Sequence, residues 1–173
     1  DHPDRQPVRD RVRGTCPASA PHGGGCVMLG ADPAVFAAVF AALFAAHQVG
    51  DHWVQRYRQA LGKGGSGRSG RWLCARHVID LAVTKAVALG LAVLVLDIDL
   101  NGWAVLAALT VDAVSHYWAD RRSTLLKLAE AVGKGEFARL GDGAAAPAGT
   151  GAYALDQSWH IGWLFIAALI AAL

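Results

Sequence analysis

Four long apolar segments, each with an aspartate and a histidine near one end, constrain this chain more than any other feature. The first runs from about Pro33 to Val54 and the second from about Trp72 to Leu96. The third runs from about Gly102 to Asp120 and the fourth from about Leu155 to Leu173. They are rich in Ala, Leu and Val and show no period-two alternation, so they predict helices rather than strands. Asp32 precedes Pro33 as an N-cap, with proline at the first helical position. No segment reaches 18 uninterrupted apolar residues, but at about 1.5 Å per helical residue each is long enough for a bilayer.

Composition narrows the classes. Of 173 residues, 54% are hydrophobic and 17% charged, with a mean hydropathy of +0.31. A typical soluble domain carries about 25% charged residues. The balance excludes disorder for most of the chain, because disorder needs low hydrophobicity and high net charge. Three cysteines cannot staple a fold of this length. A net charge of +2 is too small for a dedicated nucleic-acid binder, so no nucleic-acid partner is expected.

Aromatic residues and charges then give the segments an orientation. Trp53, Tyr57, Trp72, Trp103, Tyr117, Trp118 and Trp159 collect at segment ends, as in the aromatic belts of membrane proteins. If the four segments alternate in direction, the 55–71 and 121–154 connections share one side. That side holds the basic residues, among them Arg56, Arg58, Lys63, Arg71, Arg121 and Arg139. Next to the spans, the other side offers only Asp32, Asp97 and Asp99. The positive-inside rule makes the basic side cytoplasmic and puts both termini outside. The expectation is an all-α, four-helix transmembrane bundle of up-down topology. Its stretch 61–71 is a flexible loop by composition, and Ser123 to Val132 is an amphipathic interfacial helix.

The polar residues inside the apolar segments carry the chemistry. His47, Asp51 and Gln55 form H-x3-D-x3-Q, and His77 and Asp80 form H-x2-D. Asp112, His116 and Asp120 form D-x3-H-x3-D, and Asp156, Gln157 and His160 form D-Q-x2-H. Positions three or four apart share a helical face. In an alternating bundle all four groups lie at one membrane level. Ionisable groups at membrane depth are costly and normally face the interior, paired or functional. Imidazole with carboxylate suits a divalent ion such as zinc, manganese or iron. Facing helices can converge such side chains on one or two ions. The expected ligands are His47, Asp51, His77, Asp80, Asp112, His116, Asp156 and His160, with Gln55, Gln157 and Asp120 in support. An ion with an open position could activate water against an ester or phosphoester. Two other uses stay open: a network of interhelical hydrogen bonds and a proton or ion relay. His52 falls on the face opposite His47 and reads as interfacial. Asp120 beside Arg121 and Arg122 also fits a solvated ion pair. Lys85 is either a counter-charge or a snorkelling side chain, and Cys74 is a packing residue.

These motifs, in four apolar segments over about 34–173, resemble the small bacterial and phage integral membrane proteins grouped as domain of unknown function 3307. The D-Q-x2-H of Asp156–His160 is the most specific element. The resemblance implies a membrane bundle and no established activity. More distantly, the His/Asp pattern is similar to membrane-bound metal-dependent hydrolases of bacteria. The basic 56–71 connection and the long 121–154 connection depart from the family pattern. Membrane lipid is the expected partner, with a homo-oligomer as a further option.

Residues 1–27 differ from the rest. They hold four prolines, the Gly23-Gly24-Gly25 triplet and four arginines, and they lack apolar periodicity. They read as a disordered tail, and Met28 marks an alternative start. Cys16, His22 and Cys26 do not have the spacing of a compact zinc knuckle.

Overall fold

The computed structural model describes residues 30–142 and 149–173. The 1–27 tail, with Cys16, His22 and Cys26, and Met28 lie outside the described residues, as does most of the Gly141–Gly151 connection.

All regular structure among the described residues is helical. Helix α1 spans Pro33–Val49. Asp32 caps it, its Oδ1 accepting from the N–H groups of Ala34 at 2.7 Å and Val35 at 3.4 Å. The helix then widens into a π-helical turn at Gly50–Val54, closed by the N–H of Gln55 on the carbonyl of Gly50 at 2.9 Å. Such turns are rare and concentrate at functional sites; this one carries Asp51. Gly50 is buried against Leu81 so closely that a Cβ would collide with that side chain. The glycine therefore sets how near the first helix comes to the one that carries Leu81.

The connection expected to be flexible is mostly helix. Helix α2 spans Tyr57–Gly62, and α3 spans Gly67–Leu96, beginning five residues before Trp72. Two observations explain the difference. Gly70 packs directly on the backbone of Gly65, where no Cβ would fit. The glycines here allow close approach rather than freedom. Arginines then tie the segment down from outside. The Arg121 guanidinium donates to the carbonyls of Lys63 and Gly65, and Arg122 donates to that of Ala60 at 2.9 Å. Composition describes the local chain; the arginines come from about 56–62 residues further on.

Helix α4 spans Gly102–Asp120, capped by the side chain of Asn101. Helices α5 (Ser123–Ala131) and α6 (Gly135–Ala138) follow. Helix α5 is amphipathic and buries Leu125 and Ala129. Helix α7 spans Gly151–Ala171 and starts four residues before Leu155, where Thr150 accepts from the N–H of Tyr153.

The four long helices touch in a closed cycle: α1 against α3 and α7, and α4 against α3 and α7. One apolar core joins them, built from Val39, Leu43, Leu89, Ala108, Leu164 and Ala168. Among the described residues, three helical segments are long and apolar enough to cross a membrane: Pro33–Val54, Gly67–Leu96 and Gly151–Ala171. The segment Gly102–Asp120, expected as a fourth span, is not among them. It carries Asp112, His116 and Asp120 within 19 residues, and these lower its hydropathy.

The polarity of the molecule is inverted. Lys85, the four histidines of the long helices and Asp120 are among its largest fully buried side chains. Ile79, Val83, Val87, Leu91 and Leu94 line an exposed face of α3. A water-solvated monomer rarely exposes so continuous an apolar strip, whereas lipid solvates it at no cost.

Candidate metal centre

Four helices bring histidines and aspartates to one point. Helix α1 supplies His47, and its π-helical extension supplies Asp51. Helix α3 supplies His77, α4 supplies His116 and Asp120, and α7 supplies Asp156 and His160. Three of these groups are pairs spaced i, i+4, which stacks both side chains on one inward face. His47, His77, His116 and His160 are each 2% exposed or less.

The tightest grouping is a set of four atoms. His77 Nε2 lies 3.0 Å from Asp51 Oδ1, 3.1 Å from His116 Nε2 and 3.3 Å from Asp120 Oδ2. His116 Nε2 lies 3.2 Å from Asp120 Oδ2 and 3.7 Å from Asp51 Oδ1. Atoms held about 2.0–2.2 Å from one ion stand about 2.8–3.6 Å from each other in tetrahedral or octahedral arrangements. Hydrogen bonding satisfies this set poorly, because each imidazole nitrogen carries at most one hydrogen. Buried polar atoms almost always have partners. Here Asp51 Oδ1, Asp120 Oδ2, both ring nitrogens of His47 and His160, and the Nδ1 atoms of His77 and His116 have no hydrogen-bond partner among the described residues. Three groups of these residues could hold a metal ion: Asp51, His116 and His160; His77, His116 and Asp120; and Asp120, Asp156 and His160.

Of the eight ligands expected from the sequence, the structure gathers six: His47, Asp51, His77, His116, Asp156 and His160. Asp80 stays apart, accepting a hydrogen bond from Gln59 Nε2 at 2.8 Å. Asp112 also stays apart, in a buried ion pair with Lys85 at 2.5 Å. Asp120, expected in support or as a solvated pair, is instead central: it is 1% exposed and touches His77, His116, His160 and Lys63. Gln55 keeps a buried Nε2 without a partner, and Gln157 reaches only Asp156, at 3.5 Å. His52 is exposed, bonded to the Gln48 carbonyl and near the Tyr153 hydroxyl. Cys74 is fully buried.

Sequence reasoning missed Lys63. Its Nζ lies 2.8 Å from Asp120 Oδ1. It sits in a run of glycines and basic residues that resembles any solvated loop, and no local signal separates it from Arg58 or Arg68. Only the arginine tethers on its neighbours carry it inward.

A cavity of about 410 Å³ opens beside the cluster. Asp51, Asp120 and Asp156 lie on its cluster side, and Lys63 and Arg122 provide cations. Leu125 and Leu126 of α5 line another wall. The Asp156 side chain is 23% exposed, so the cluster is reached from this cavity.

The fold and site define an all-helical protein with apolar, membrane-length helices around a buried Asp/His cluster. Residues 39–173 match the model of the family described as Protein of unknown function (DUF3307), and the chain belongs to that family. No curated protein and no solved structure matches it.

Proposed function

We propose that this is a multi-pass membrane protein that binds a divalent metal ion in the His77, His116, Asp51 and Asp120 set and uses it to hydrolyse a phosphoester. The observation that carries the reading is the spacing of those four atoms, two of which, Asp51 Oδ1 and Asp120 Oδ2, are buried without a hydrogen-bond partner among the described residues. A purely structural network would pair its buried donors and acceptors. A divalent ion gives the carboxylates and imidazoles a common partner and offsets the buried negative charge. Its chemistry is to lower the pKa of a bound water into the neutral range. The cavity supports the choice of substrate: Lys63 and Arg122 suit a phosphoryl oxygen, and Leu125 and Leu126 suit an apolar substituent such as a lipid chain. In the reaction, water oxygen bonds to phosphorus, the ester P–O bond breaks, and the leaving oxygen takes up a proton.

Protein stripped with chelator, re-exposed to zinc, manganese or iron and passed through a sizing column is expected to retain at least one ion per chain. Retention falls on acidification, because imidazole must be neutral to bind metal. Retention of clearly less than one ion at neutral pH overturns the reading.

In the membrane the four long helices form an up-down bundle in a bacterial inner membrane, with α5 lying in the interface. The cluster and its cavity face the cytoplasm, and both termini lie outside. The basic residues beside the cavity support this orientation. In a chain whose Cys16 and Cys26 are replaced by serine, a cysteine placed at Ser66, in the connection between α2 and α3, is expected to resist an impermeant maleimide in intact cells and to react after permeabilisation. Labelling in intact cells reverses the orientation.

A further inference from the structure

The four-atom set uses only one oxygen of each shared carboxylate, and what the other oxygens face is informative. Asp51 Oδ1 belongs to the set, while Asp51 Oδ2 lies 3.5 Å from His47 Nε2. Asp120 Oδ2 belongs to the set, while Asp120 Oδ1 lies 3.9 Å from His160 Nε2. His160 Nε2 is also 3.4 Å from Asp156 Oδ1. The rings of His47 and His160 are adjacent, with centroids 5.1 Å apart. The Nε2 atoms of both rings are buried without a hydrogen-bond partner. Asp120, Asp156 and His160 form a second group that could hold an ion, contiguous with the first through Asp120, and His47 borders it between Asp51 Oδ2 and the His160 ring.

We propose that the cluster is built for two divalent ions, with Asp51 and Asp120 each bridging them. The first ion is the one the hydrolase reading already requires, and the second inference rests on that reading. The second ion takes His47, His160, Asp156, Asp51 Oδ2 and Asp120 Oδ1. Carboxylate-bridged pairs of ions stand about 3.5–4 Å apart and clamp the attacking and leaving oxygens of an in-line displacement. Charge supports the arrangement. Asp51, Asp120 and Asp156 against Lys63 leave two negative charges, which one divalent ion neutralises. A second ion makes the site doubly positive, which a phosphate dianion in the adjoining cavity would balance. Lys63 shares Asp120 Oδ1 with the second position, so it lies where a substrate oxygen would meet both cations.

Manganese titration of the detergent-purified full chain, followed by metal analysis and electron paramagnetic resonance, tests the proposal. The wild-type chain is expected to bind two ions and to show an exchange-coupled spectrum. Asp156→Ala is expected to bind one ion, with the spectrum of isolated manganese. Asp156 is partly exposed, so this change endangers folding least; His47→Ala is the second variant and should give the same result. Saturation of the wild type at one ion overturns the second site and leaves the first intact. Retention of two coupled ions in both variants also overturns it. Failure to bind any ion overturns the metal reading as a whole. Inorganic phosphate is expected to tighten the second ion by about tenfold, the scale of one charge-assisted contact. No effect of phosphate removes the charge-balance reason for the second ion and overturns that part.

Discussion

Replacing His116 by alanine is expected to empty the centre. Its Nε2 stands within 3.1–3.7 Å of His77, Asp120 and Asp51, and its ring stacks on His160 with centroids 3.9 Å apart. No other histidine among the described residues touches so many members of the cluster. Losing even a residue that only supports a ligand typically costs 10–100-fold in metal affinity, so loss of this ligand is expected to cost at least about 100-fold. Metal analysis after gel filtration is the measurement, with circular dichroism as the check on helical content. His116→Ala protein that keeps its helices and its full complement of metal would contradict the assignment of this residue. The contrast with Asp80→Asn sharpens the result. Asp80 bonds Gln59 and lies outside the cluster, so that variant is expected to retain metal as the wild type does.

A second large effect is expected at the ion pair between Lys85 and Asp112. Both side chains are buried, Lys85 completely, and Nζ approaches Oδ2 at 2.5 Å. The pair joins α3 to α4. Removing one partner strands the other charge in a low-dielectric setting, at a cost of about 3–5 kcal/mol. Lys85→Met is therefore expected to lower the thermal unfolding temperature in detergent steeply. Asp112→Leu in the Lys85→Met background removes the stranded carboxylate. Replacing a whole buried pair by apolar groups is often neutral or stabilising, so the double variant should recover most of the loss. A double variant as unstable as Lys85→Met would show that the carboxylate does more than neutralise the lysine. Metal retention in the double variant should match the wild type, because Asp112 stands apart from the cluster.

The fate of Asp112 illustrates how far sequence patterns reach. D-x3-H-x3-D puts three side chains on one face of α4, and the spacing treats both aspartates alike. They differ by depth: Asp112 is two turns further from the helix end and meets Lys85, while Asp120 reaches the level of His77 and His160. The nearest cation across an interface sorts them, and the lysine that supplies it is 27 residues away in sequence. Asp80 illustrates another limit. At i+3 from His77 it is rotated away from the inward face, toward Gln59 of α2. The one-turn helix that presents Gln59 lies in a stretch that composition marks as a loop.

The helical class, the four apolar segments and the presence of an Asp/His centre were readable from residues alone, because each rests on short-range periodicity. Apolar residues repeat along a helix, and His and Asp four apart must share a face. The cap at Asp32 is equally local. Three things came only from the folded chain: Asp120 at the middle of the cluster, Lys63 against it, and Asp80 and Asp112 outside it. Each depends on distances between helices far apart in sequence. Close contacts such as Gly50 on the Leu81 side chain and the arginine tethers on the 60–65 segment set those distances. Periodicity tells a side chain which face of its own helix it occupies; only packing tells it which neighbour it will meet there.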